Sequence, residues 1–415
     1  MSFFGPRKIR RDSTRTFFYR RSQTGRWIFI LVILTIIVAI PAITSLQFDN
    51  VQLSALKVIG YAPTATPLAS TRASQAQAYY DNGDINDAFV YYEMAVKQQP
   101  DNINYLYEYG RMLNELDRSE EAAPLGDKII ELAPKDPRGY ALKANALMWS
   151  DPQSAIPAAI QGIEIGETFA PLPAALAVAY TNIGRYQEAL QRGDQAIRWN
   201  PSDASARRAY SYPLIFTGRY TEAIAQLEEA VAINPNIAAP YFELASLYRR
   251  IKNPEMSVAI YNRVLEIDPN NARAYLRICE TLAAVGQFKK AEPYCDKALE
   301  INPNYASAHR MLGQLRYSRR NYEGAIEEFE TCVKLGSQEI ECYYINGLAH
   351  YFLGQCDDAW TILNDALGRA TDPSIVNSIT IGLTNVTKRC VGYKDRTLPT
   401  AIPPTLIPPT PIGAG

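Results

Sequence analysis

The side chains best equipped for chemistry in this chain are two histidines, His309 and His350, and six cysteines, Cys279, Cys295, Cys332, Cys342, Cys356 and Cys390. An imidazole can act as general acid, general base or metal ligand, and a thiolate as nucleophile or ligand. Neither set is spaced for such work. No two cysteines form a CxxC pair and no HExxH occurs, so no metal site is expected. There is no GxSxG elbow and no glycine-rich phosphate cradle. With no converging set of reactive groups, the chain is expected to be no enzyme and to need no cofactor. Acidic clusters such as "ELDRSEE" and "AIEEFE" read as solvated helix faces. The cysteines are even in number and all lie in the C-terminal part. Two readings stay open for them: small buried hydrophobes, or disulfides formed in an oxidising compartment.

Charge is distributed unevenly. The 415 residues sum to −1, which gives no polyanion-binding signal, and no nucleic-acid partner is expected. Residues 1–26 hold eight Lys or Arg against Asp12, a net of +7, which leaves −8 for the rest. From Trp27 to Phe48, "WIFILVILTIIVAIPAITSLQF" carries no charge. About twenty helical residues span a bilayer's hydrocarbon core. The run is longer than the apolar stretch of a cleaved signal peptide, and no clean small-x-small site follows. A transmembrane signal anchor is therefore expected at 27–48, in contact with the lipid bilayer. Positive flanks stay inside, which makes 1–26 a cytoplasmic head and puts everything after Phe48 on the extracytoplasmic side. The twin arginine of "YRRSQTGR" is followed by polar residues and is not an export signal.

The larger signal is repetition. "EEAVAINPNIAAPY" (228–241), "NRVLEIDPNNARAY" (262–275) and "DKALEINPNYASAH" (296–309) recur at steps of 34. Prolines 100, 134, 201, 235, 269 and 303 mark the unit ends, with 67 residues between 134 and 201, two units less one residue. Within 272–305, Tyr275, Ile278, Cys279 and Leu282 share one helical face, and Ala291, Tyr294, Cys295, Ala298 and Ile301 share another. Gly286 separates the two helices, Pro303 stops the second, and Asn304 is expected to cap the next. Ala291 and Ala298 permit close approach of the pair. Each hairpin leaves an apolar side that only a neighbouring hairpin can cover.

The pattern resembles the tetratricopeptide repeat (TPR) family. "YLYEYGRML" carries Leu106, Tyr109 and Gly110. "ALAVAYTNIGRYQEAL" carries Leu176, Ala177, Tyr180, Gly184 and Ala189. "YFELASLY" carries Tyr241, Leu244, Ala245 and Tyr248, and "EGAIEEFETC" carries Ala325 and Phe329. The resemblance covers about three quarters of the chain. It implies an all-α, right-handed superhelix of about nine helical pairs. The units are 69–102, 103–136, 137–169, 170–203, 204–237, 238–271, 272–305, 306–339 and 340–373. Unit 137–169 is degenerate, with a shortened loop and Pro157 in its second helix. A capping helix is expected at 374–390. Linker at 49–68 and a Pro-rich disordered tail at 391–415 complete the organisation.

For the concave face, the resemblance implies Arg208, Tyr212 and Phe216; Phe242, Arg249 and Arg250; Arg273 and Glu280; Arg310, Gln314 and Tyr317; then Tyr344, Tyr351 and Phe352. Five arginines interleaved with aromatics would suit an extended peptide with acidic groups. Equally open is that these arginines pair with acids of adjacent repeats, Glu243 and Glu280 among them. If disulfides form, Cys279–Cys295 within one hairpin and Cys356–Cys390 between last repeat and cap are the expected pairs. No Lys/Asn clamp for a C-terminal carboxylate is present. The sixth positions (Glu108, Leu142, Ala175, Ala209, Glu243, Arg277, Met311, Ile345) form no asparagine ladder. The expected function is a membrane-anchored scaffold that binds proteins or peptides. The alternative is a cell-envelope biogenesis factor that binds or organises a glycan or other polyanion.

Overall fold

Each hairpin is set by local rules before the array forms. Side chains of Asn102, Asp136, Asp151, Asp203, Asn253, Asn271, Asn321 and Asp372 accept from the free N–H groups that open the following helices. Between the two helices of a pair, one equivalent position turns left-handed. It is Gly83, Gly184, Gly218, Gly286 and Gly354 in five units, and Asp117, Lys252 and Arg320 in three others. Glycine takes that conformation at little cost, whereas the three side chains are tolerated there against a steric penalty.

The structure is a computed structural model that describes residues 67–166, 168–394 and 396–399. Among the described residues there are nineteen helices and no strand. The first nine are α1 (Ala69–Asn82), α2 (Ile85–Gln98), α3 (Ile103–Glu115), α4 (Ser119–Leu132), α5 (Pro137–Leu147), α6 (Pro152–Glu164), α7 (Pro171–Asn182), α8 (Tyr186–Trp199) and α9 (Ala204–Phe216). Then follow α10 (Tyr220–Ile233), α11 (Ala239–Arg250), α12 (Pro254–Ile267), α13 (Ala272–Ala284) and α14 (Phe288–Ile301). The last are α15 (Ala306–Ser318), α16 (Tyr322–Lys334), α17 (Glu341–Phe352), α18 (Cys356–Arg369) and α19 (Pro373–Arg389). They pair as nine hairpins, and α19 covers the last one with Ile379, Leu383 and Val386 while Asn377 and Ser378 face outward. A polar outer face is what ends such a stack. None of the described helices is long and apolar enough to cross a membrane; the expected span, Trp27–Phe48, lies outside the described residues.

Two local expectations change. Asn304 does not cap α15: the helix starts one residue later, after Tyr305, and the Asn304 N–H is instead held by the Asn302 side chain. Part of the tail expected from residue 391 is packed instead. Tyr393 is buried, packs on Trp360 at 5.4 Å and donates to Asp357. A Tyr with an apolar wall and an acceptor in reach docks rather than remaining solvated. Residues 400–415 lie outside the described part.

The third unit departs from the others. α5 has 11 residues, and its connection to α6 lacks the left-handed position. Gly126 of α4 and Gly139 of α5 oppose each other: a Cβ on Gly126 would sit 2.8 Å from the Lys143 backbone nitrogen, and one on Gly139 would sit 2.9 Å from that of Ile130. The two backbones approach closely there, and further along the first repeat meets the end of the fifth. Ile237 is buried in one cluster with Ala76, Tyr80, Ala88, Tyr92 and Met112. The Asn236 side chain donates to the Asp81 carbonyl at 2.9 Å across 155 residues of sequence. Gly83, at φ +90°, lies so close that a Cβ would stand 2.3 Å from the Asn236 carbonyl oxygen.

The six cysteines form three bridges. Cys279–Cys295 ties α13 to α14, Cys332–Cys342 crosses from α16 to α17, and Cys356–Cys390 joins α18 to the residue after α19. All lie in repeats seven to nine and the cap.

Gly83→Ala is expected to destabilise the protein by about 1–3 kcal/mol through strain and overpacking. Hydrogen exchange should then speed up at 234–239 as well as at 79–85; unchanged exchange at 234–239 would show that the closing contact carries no weight. Reduction of the three bridges, which close loops of 10, 16 and 34 residues, is expected to cost about 3 kcal/mol each. Exchange should rise in 272–393 and stay unchanged in 69–230.

Candidate binding cleft on the inner face

Polar groups on the first helices of the repeats gather in two sets, one around Glu243 and one around Glu280. Arg208 of α9 donates from Nε and Nη2 to Glu243 Oε1 at 3.0 and 2.7 Å. The Tyr212 hydroxyl donates to the same oxygen at 2.9 Å. Glu115 of α3 stands 4.0 Å from Arg208 across the concave space. Burial opposes the charge on Arg208, but Glu243, Tyr212 and Glu115 more than offset it and hold its proton more tightly than in free arginine. Burial pushes the Tyr212 phenol well above its ordinary range.

Further along, one carboxylate serves three guanidinium groups. Glu280 accepts from Arg277 at 2.7 Å and Arg249 at 3.4 Å, and stands 3.7 Å from Arg310. Arg310 also reaches Gln314 at 3.4 Å, while its Nε is buried without a partner. Arg273 lies 4.6 Å over the Phe242 ring. Arg250 is exposed and makes no ion pair with a described residue. Of the two readings open for the arginines, contact with adjacent-repeat acids is present for Arg208, Arg249 and Arg310. The set around Glu280 nevertheless keeps an excess of positive charge.

The aromatic positions divide. Phe216 is 58% exposed beside Tyr186. Tyr317, Tyr322, Tyr351 and Phe352 gather near the C-terminal end, with Tyr322 and Phe352 stacked at 4.8 Å. Burial pushes Tyr317 up to about 12. Tyr344 is half-buried against this region. Both histidines are held within the fold: His309 by Glu328 and the Pro303 carbonyl, and buried His350 by Gln355.

Sequence reasoning missed a hollow on this side of the array. A cleft of about 540 Å³ opens between repeats two and five, lined by Tyr107, Arg111, Asn114 and Glu115 from α3, Asn145, Met148 and Trp149 at α5, and Arg208 and Tyr212 from α9. Only the last two were expected there. Trp149 is half exposed and meets Tyr212 edge-on at 4.9 Å. Arg111 is bound by Glu108 at 2.7 Å and by the Tyr80 hydroxyl at 3.2 Å, so α1 backs this wall. The signal that could have found it is the degenerate unit, which supplies Asn145, Met148 and Trp149 to the lining.

Glu243→Gln is expected to destabilise the protein by about 1–3 kcal/mol, because Arg208 keeps its partial burial and loses its main counter-charge. Urea unfolding checks this; an unchanged midpoint would mean that Glu115 alone suffices.

Two family models described as tetratricopeptide repeat match the chain, one at residues 217–279 and 252–315, the other at 74–137 and 174–236. A third, described as anaphase-promoting complex, cyclosome, subunit 3, matches 284–366. No curated protein matches. Among solved structures, the APC/C hetero-tetramer Cut9-Hcn1 is similar at 12% identity and TM-score 0.49, over 75% of each chain. PilF of Pseudomonas aeruginosa is similar at 17% and 0.42, over 47% of this chain and 88% of that one. YrrB, described as a TPR protein with an unusual peptide-binding site, is similar at 19% and 0.35, over 44% and 95%. Residues 74–137 and 174–315 of this chain are tetratricopeptide repeats.

Proposed function

We propose that the chain is a non-catalytic scaffold, held at a membrane by Trp27–Phe48, whose inner face binds extended segments of other proteins on the extracytoplasmic side. The observation that carries the binding reading is the cluster around Glu280. Arg249, Arg277 and Arg310 share that single carboxylate, and Arg310 Nε has no partner. A carboxylate brought by a partner would complete the pairing, since guanidinium groups bind carboxylates in a fixed fork geometry. The uncharged run with its basic flank supports the anchor, and three bridges are in keeping with an oxidising compartment.

The test is to pan a random-peptide display library against the full chain in lipid nanodiscs. Charge-reversed variants Arg249→Glu and, as a milder exposed change, Arg250→Glu with Arg273→Glu are panned in parallel. Peptides that carry Asp or Glu should be retained by the wild type and lost from the variants. Enrichment of no peptide on any bait would overturn the reading. Carbonate extraction of cell membranes tests the anchor: a chain released into the supernatant is not membrane-spanning.

A further inference from the structure

We propose that the cleft of repeats two to five receives a lysine or arginine side chain of the bound protein segment, so that the inner face reads opposite charges at its two ends. The proposal rests on the reading of the inner face as a protein-binding surface and adds what the N-terminal half of that surface selects.

The charge that the cleft leaves unpaired is negative. Its two arginines are occupied: Arg111 by Glu108 and Arg208 by Glu243, each at 2.7 Å. Three further carboxylates line it, Glu115, Asp117 and Asp203. Asp203 spends Oδ1 on the backbone N–H groups of Ser205 and Ala206. Asp117 makes no ion pair with a described residue, and Glu115 has only the 4.0 Å approach of Arg208. Asn114 Oδ1 is buried without a partner. The charged groups left over in the lining are therefore the carboxylates Glu115, Asp117 and Asp203, because the two guanidinium groups are already paired with Glu108 and Glu243. A ligand that fits must donate and must be cationic; an anion would meet unscreened like charge in a recess.

The apolar part of the lining points the same way. Trp149 is 50% exposed, unusual for so large a ring, and Tyr212 buttresses it edge-on. A cation over an indole face gains about 0.5–2 kcal/mol, and the long aliphatic stem of Lys or Arg covers apolar surface such as Met148. By contrast, the arginines around Glu280 leave an excess of donors. An extended segment that spans both would carry basic groups toward repeats two to five and acidic groups toward repeats six to eight.

The same panning, repeated with Trp149→Ala and Glu115→Gln, tests this. Both side chains are partly exposed, and thermal melts confirm that each variant folds. The wild type should enrich peptides that pair Lys or Arg with Asp or Glu in one order along the sequence. Each variant should weaken the recovered peptides about tenfold, and replacing their Lys or Arg by Gln should weaken them for the wild type alone. Retained peptides that lack basic residues, or that bind both variants as tightly as the wild type, would overturn this proposal and leave the scaffold reading standing. Failure to enrich any peptide would overturn both.

Discussion

The constraint on which the rest depends is how closely the two helices of each hairpin approach. At one equivalent position in the second helix the repeats carry Ala88, Ala122, Ala155, Ala189, Ala223, Ala291, Ala325 and Ala359, all essentially without exposed surface. Seven residues further on stand Ala95, Ile129, Gly162, Ala196, Ala230, Val264, Ala298, Cys332 and Ala366, also buried. Small side chains let the backbones come within reach, and larger residues from the first helices fill the grooves between them. Ser257 is the exception at the first position, with its hydroxyl buried and unpartnered. Because that spacing is held, each first helix presents the same side inward, and the polar residues on that side come into register across repeats.

Register is what turns scattered charges into a surface. Arg208 and Glu243 are 35 residues apart, and Arg249 and Glu280 are 31 apart, yet each pair meets because one step of the repeat separates them in space. The pairs lie between neighbours, so they brace the stack as well as neutralise it. Partial burial makes them more than surface decorations but does not make them strongly stabilising, since desolvation opposes the gain. Their uneven stoichiometry, one glutamate to three arginines at one end and surplus carboxylates at the other, gives the inner face its polarity.

The repeats were legible in the sequence because period, proline and alanine recur at positions that must be buried or must turn. That Arg208 and Arg249 could pair with acids of the next repeat was legible for the same reason, since position within the unit fixes direction. Other features were not legible. Gly126 and Gly139 look like ordinary helical glycines, and nothing local says that they oppose each other. Ile237 sits in a loop, and its burial depends on a repeat 155 residues away. The Cys332–Cys342 bridge spans a repeat boundary, where helix ends set the geometry and periodicity gives no guide. Trp149 follows the first helix of a degenerate unit, and only Tyr212, two repeats further on, makes it the wall of a cleft.

The closing contact changes what kind of object the array is. A linear stack is held by nearest-neighbour interfaces, so its end repeats fray first and stability grows one unit at a time. When Ile237 is covered by the first repeat, the first five units become a loop of interfaces with no free end, and opening any one interface leaves the others still joined. Cooperativity then belongs to the ring as a whole rather than to adjacent pairs. The C-terminal repeats remain a line with one end exposed, and that is the stretch where all three covalent bridges and the capping helix are found.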